Sequence, residues 1–126
     1  MKSTSYWLLQ SILEEIAGDK KSLFAFGASI GTKIAEEMAL KALPEETVSL
    51  VCYTAQVLDE YFECTLQIAQ ENGEVHIRIN EELPADRLAD KAEIIAGIIT
   101  AVVGRVQNKR VRAKTYGAQA KIVVTE

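Results

Sequence analysis

Two arms of alternating residues meet at Asn72-Gly73, and that junction constrains the fold more than any other stretch of the chain. Asn-Gly is the dipeptide that best accepts the two positive φ angles of a type I′ turn, whose twist matches that of paired strands. Counted outward from this turn, Ile68 faces Ile77 and Leu66 faces Ile79, while Gln67, His76 and Arg78 point to the other side. A slip of one residue would turn all of these side chains over, so matched alternation on both arms specifies a half-buried hairpin. In this register His76, the single histidine, is expected on the exposed face.

Beyond the hairpin, Pro84, Asp86 and the acids that follow open a helix expected over about 85–107. Its centre, Ile94 to Gly104, is uncharged and apolar nearly all round, which predicts a central, buried helix. The β-branched residues there would suit a strand, but the run is longer than a usual strand and holds Gly97 and Gly104. It is also far shorter than the roughly 20 apolar residues that cross a bilayer. A second hairpin is expected to close the chain. With Gly117-Ala118 as its turn, Val111 faces Val124 and Ala113 faces Ile122.

Three helices are expected ahead of the first hairpin. Ser3, Thr4 and Ser5 offer caps for a helix running to about Ala17, striped by Leu8, Leu9, Ile12, Leu13 and Ile16 and stopped by Gly18. A second, from about Ser22 to Leu43, stacks Phe26, Ile30, Ile34 and Met38 at four-residue intervals, with Gly27 and Gly31 beside that stripe. Each interior glycine costs about 1 kcal/mol relative to alanine. Two of them, four apart, predict a close helix crossing against the small-residue line Gly97, Ala101 and Gly104. A third helix starts at Pro44-Glu45-Glu46 and carries Val48, Val51, Cys52, Ala55 and Leu58 as its buried stripe; Val48 to Tyr53 also reads as a strand. The order α-α-α-β-β-α-β-β predicts an α+β fold, an antiparallel four-stranded sheet of two hairpins packed against helices. No repeat or Ser/Gly/Pro-rich linker interrupts it, so residues 1–126 are expected to form one domain.

Few function classes find support. With 48% hydrophobic and 25% charged residues the chain has the balance of an ordinary globular protein. Cys52 and Cys64 have neither metal-ligand spacing nor the makings of a disulfide framework, and both are expected as buried thiols. One histidine excludes His-rich metal sites, and no phosphate-cradling glycine motif occurs, so neither metal nor cofactor is expected. Gly27-Ala28-Ser29-Ile30-Gly31 matches G-x-S-x-G, and Asp59 and His76 follow in hydrolase order, which makes Ser29 a remote candidate nucleophile. That elbow needs a preceding strand in a parallel sheet, and only a helix precedes it here. From Arg105 onward six Lys/Arg stand against one acid, although the whole chain carries −4. Alternating charges on an exposed strand face explain this basic end without any function, and the functional alternative is a peripheral contact with an anionic membrane through Arg110, Arg112 and Lys114. With Tyr116 as the only aromatic near these cations, no nucleic acid is expected.

Phe26-Gly27-Ala28-Ser29-Ile30-Gly31-Thr32-Lys33-Ile34-Ala35-Glu36-Glu37-Met38 resembles the glycine-bearing helix of the TRAPP (transport protein particle) small subunits. Ala92 to Val103, centred on Ala96-Gly97-Ile98-Ile99, is similar to that family's long central helix, and the two hairpins flank it in the family's order. The resemblance runs from about Lys20 to Val124. It implies a non-catalytic scaffold subunit of a vesicle-tethering complex, cytoplasmic, acting as a homodimer or as a heterodimer with related small subunits. Tyr6, Trp7, Leu9 and Phe24 are the expected dimer interface. The same fold in 4-vinyl-reductase-type domains implies the alternative, a receptor for an acyl or hydrocarbon ligand in a cavity lined by Phe26, Ile30, Ile34, Ile98 and Val102. Those domains often end in a cysteine-containing hairpin, which Arg110 to Thr125 lacks. The cysteine acylated in one TRAPP subclass has no counterpart in Lys41-Ala42-Leu43-Pro44, so acylation does not carry over. Nor does nucleotide exchange on a GTPase, which in that family belongs to a multi-subunit assembly.

Overall fold

In the computed structural model, which describes residues 7, 11, 14–38, 46–62 and 64–125, the uncharged segment is a long helix at the centre of the molecule. The elements in chain order are α1 (Lys20–Met38), α2 (Thr47–Phe62), β1 (Leu66–Glu71), β2 (Glu74–Ile79), α3 (Ala85–Gln107), β3 (Arg112–Tyr116), a 3-10 turn (Gly117–Gln119) and β4 (Lys121–Thr125). Ahead of α1, Trp7, Ser11, Glu14 and Glu15 are helical. The fold is α+β. No described helix is long and apolar enough to cross a membrane.

Helix α3 has the bounds its sequence predicts and is sandwiched. One side packs on β3, β4 and the 3-10 turn, another against α1, while α2 covers β1 and touches α3. This is why Ala92, Ile94 to Ile99, Val102 and Val103 are all buried. The helix ends where Asn108 takes a left-handed conformation at φ 51°.

The four strands form one antiparallel sheet in the order β1-β2-β4-β3. The first hairpin has the predicted register, Leu66 opposite Ile79 and Ile68 opposite Ile77, around Asn72 (φ 52°) and Gly73 (φ 77°). The second differs. Ala113 pairs with Val124 and Thr115 with Ile122, two residues away from the predicted register. The connection is the 3-10 turn followed by Ala120 at φ 52°, a longer loop than a Gly117-Ala118 turn. An even shift preserves the faces, so Ile122 and Val124 still point at the helices, while Val111 is buried ahead of the strand.

Helix α1 starts two residues before its predicted start because Asp19 caps it. The Asp19 carboxylate accepts hydrogen bonds from Ser22 Oγ (2.8 Å) and Ser22 N (3.2 Å). The predicted end at Leu43 lies outside the described residues, as does the side chain of Met38. The buried line of α1 is Leu23, Gly27, Gly31 and Ala35; Phe26, Ile30 and Ile34 flank it and are half-buried. Residues 47–62 are helical throughout, which removes the strand reading of Val48 to Tyr53. The face that α2 buries is Leu50, Val51, Thr54, Ala55 and Leu58, with the Thr54 hydroxyl donating to the Leu50 carbonyl at 2.9 Å. Cys52 lies off this face and is exposed, contrary to expectation, whereas Cys64 is buried.

Candidate functional surfaces

Helices α1 and α3 run in the same direction and meet through their backbones. A Cβ on Gly27 would overlap the Ile94 carbonyl, and one on Gly97 would overlap that of Phe24 and fall 2.8 Å from Ala28 N. At Gly31 a Cβ would sit 2.5 Å from Ile98 O and 2.9 Å from the Ala101 Cβ. Gly27-x-x-x-Gly31 thus nests against Gly97-x-x-x-Ala101, the small-residue spacing that lets two helices approach closely. Gly104 is not part of the contact with the described residues of α1, since its nearest neighbour among the described residues is Lys109 O at 3.4 Å. The space at Gly31 leaves no room even for the Cβ of alanine.

Backbone contact at the crossing leaves the flanks of α1 thinly covered. Phe24 on one side and Phe26, Ile30 and Ile34 on the other are only partly buried, although all are apolar. Trp7 is 59% exposed. Of the predicted interface, Phe24 and Trp7 are therefore at the surface to differing degrees, and Tyr6 and Leu9 lie outside the described residues. Of the predicted cavity lining, Ile98 and Val102 belong to the filled core, 3% and 0% exposed.

The G-x-S-x-G sequence does not form a nucleophile elbow. Ser29 is an exposed residue in the middle of α1, with helix on both sides and no strand leading into it. Asp59 is exposed on α2, and His76 lies in the middle of β2. His76 is not fully exposed as expected. Its side chain is 18% accessible because β1 and β4 flank it, and its Nε2 lies 3.4 Å from Glu74 and 3.9 Å from Glu71.

A buried polar cluster, which the sequence did not announce, sits where α3 begins. Lys91 is 2% exposed and its Nζ donates to Glu81 Oε1 at 2.6 Å. The second Glu81 oxygen, Oε2, is buried with no hydrogen-bond partner among the described residues. Burial pushes the Cys64 thiol up to about 11, with the charge of Lys91 only partly opposing the shift. At that value the nucleophilic thiolate is scarce at neutral pH. Beside the cluster a cleft of about 240 Å³ is lined by Glu14, Ala17, Leu83, Asp86, Arg87, Asp90 and Lys91. It is bridged by Gly18 N, which donates to both Asp90 oxygens at 3.2 Å, and by Arg87 with Glu14 at 3.8 Å. These contacts fasten the segment before α1 to α3. No group of three or more His, Cys, Asp or Glu able to hold a metal occurs among the described residues.

The face of the sheet turned away from the helices carries a cluster of basic residues. Alternation and register place Arg112, Lys114 and Tyr116 of β3, Lys121 and Val123 of β4 and Arg78 and His76 of β2 together on it. Arg110 is exposed just ahead of β3. Arg78 stands directly opposite Lys121, a juxtaposition that no local reading of the sequence reveals. No protein-family model matches the chain, and no curated protein does.

Proposed function

We propose that the chain is a non-catalytic interaction subunit of the TRAPP-like kind, which joins a second copy or a related small subunit through the flank of α1. The observation that carries this reading is the imbalance on α1: its smallest residues take the intramolecular contact, while Phe24, Phe26, Ile30 and Ile34 remain half-covered. Half-covered apolar side chains along one flank of a helix, here Phe26, Ile30 and Ile34, are suited to a two-fold, self-complementary interface. The same geometry supports this reading over a hydrophobic-ligand receptor of the 4-vinyl-reductase type, because helices touching backbone to backbone leave no gap for a ligand between them. A cytoplasmic location and assembly into a larger tethering complex go with the proposal.

Sedimentation velocity of the wild type and of a Phe26→Glu/Ile30→Glu variant tests it. The wild type is expected as a dimer and the variant as a folded monomer. A wild type that stays monomeric at high concentration removes the proposal. Native mass spectrometry separates the alternatives, since a retained lipid would favour the receptor.

A further inference from the structure

We infer that the edge strand β3, together with the outer face of the sheet beside it, is a docking site for an extended acidic segment of a partner protein. The order β1-β2-β4-β3 leaves β3 paired on one side only, so one row of its main-chain groups has no strand partner among the described residues. The strand is held from within. Ala113 and Thr115 turn toward α3, and the Thr115 hydroxyl donates to Glu93 Oε1 at 2.5 Å. What β3 offers outward is Arg112, Lys114 and Tyr116, all exposed.

The charges select the partner. The outer faces of β3 and β4 hold Arg112, Lys114 and Lys121 with no acid among them, and Arg78 continues the patch on β2. Glu71 and Glu74 sit together at the far corner of the sheet, where both face His76. None of Arg78, Arg112, Lys114 and Lys121 has an ion-pair partner among the described residues. Like charges directly opposite each other, as in Arg78 and Lys121, weaken a sheet. Protecting an edge from unwanted pairing needs charge on the edge strand. It gives no reason for cations on β4 and β2 as well.

Spacing selects its conformation. Arg112 and Lys114 are two residues apart on one strand, about 7 Å, and alternate side chains of an added strand repeat at the same distance. An acidic residue at every second position would therefore meet this row in register while its main chain pairs with the free edge. Tyr116, with Lys114 Nζ 5.4 Å from its ring centroid, adds an apolar contact at the end of the row. A single-stranded nucleic acid fits less well, because stacking platforms present several aromatics and this face exposes one.

The test uses a fluorescein-labelled peptide alternating Glu and Val, followed by anisotropy and by amide hydrogen exchange of the full chain. Saturable binding that weakens with salt is expected, with protection of the β3 amides that point away from β4. Arg112→Glu/Lys114→Glu should weaken binding by about tenfold or more, because it places like charges across the contact. A peptide N-methylated on its pairing edge should lose binding to the unaltered protein, whatever the folding of the variant. Equal binding of the N-methylated peptide would overturn the inference, as would tighter binding of an oligothymidylate or of phosphatidylserine vesicles through the same residues. None of these outcomes depends on the association of α1, which packs on the far side of α3 from this face.

Discussion

Gly27 of α1 lies against the main-chain carbonyl of Ile94 in α3 with no space for a methyl group between them. Most of the contact that joins α1 to the rest of the molecule is arranged along this line, from Leu23 through Gly31 to Ala35. Stability is therefore expected to respond to single carbon atoms here.

Gly27→Ala and Gly31→Ala should each destabilise the protein, by about 1–3 kcal/mol for overpacking less about 1 kcal/mol regained in helix propensity. Gly31→Leu should cost more than Gly31→Ala. Gly104→Ala is the internal control, because among the described residues its added methyl would meet only Lys109 O at 3.4 Å. It should be neutral or stabilising by up to about 1 kcal/mol. Urea unfolding at constant m-value measures all four. A Gly31→Ala protein as stable as the wild type would mean that the helices separate more readily than this packing implies.

Lys91→Met should destabilise by about 3 kcal/mol, at the low end for a broken buried pair because Glu81 keeps 17% of its side chain exposed. The loss arises less from the missing attraction than from Glu81, left with one oxygen already unpartnered. Lys91→Met/Glu81→Leu should recover most of it, since apolar replacements of a buried pair are often close to neutral. A double-mutant cycle in urea checks both statements. If the single and double variants are equally unstable, the pair is not what holds this corner.

How much of this was readable from the chain depends on how local each cause is. The first hairpin and α3 were legible to the residue because Asn72-Gly73, Pro84 and the uncharged run act on their own neighbours. The second hairpin was misregistered because a left-handed Ala120 has no sequence signature. On α1, four large residues at four-residue intervals outweighed the smaller line beside them, and only backbone contact with Ile94 and Ile98 reveals which line faces inward. Cys52 was placed in a stripe that Leu50 and Thr54 fill. The Lys91, Glu81 and Cys64 cluster joins three elements' ends, and Arg78 meets Lys121 only through the pairing of β2 with β4. Pattern along the chain carries no information about such meetings.

Thiol reactivity should separate the two cysteines in the native protein. Cys52 is exposed on α2 and should react promptly with a disulfide reagent at pH 8. Cys64 is 2% exposed with its thiol held near 11 by burial, and should react only at the rate of unfolding. One fast thiol in the wild type, none in Cys52→Ser and two in denaturant is the expected count. Fast labelling of Cys64 would show that the Lys91 corner opens in the native state.

The last prediction concerns acid. Hydrogen bonds from the Ser22 hydroxyl and then the Ser22 amide hold the Asp19 carboxyl below its ordinary value, outweighing a small opposing effect of desolvation. A carboxyl with a lowered folded-state pKa stabilises the fold while it is ionised, so its contribution is fully present above its unfolded value. It is lost as pH falls through the lower, folded value. Asp19→Ala should therefore lower the melting temperature at pH 7, and the gap to the wild type should close as the pH drops below about 4. Asp19→Asn retains a capping oxygen and should fall between the two at neutral pH, with little pH dependence of its own. Thermal unfolding by circular dichroism across this range gives the comparison, with α1 helicity as a second readout because the cap acts on its first turn. A gap between wild type and Asp19→Ala that persists unchanged at acid pH would place the stabilisation elsewhere than in the ionised Asp19–Ser22 contact.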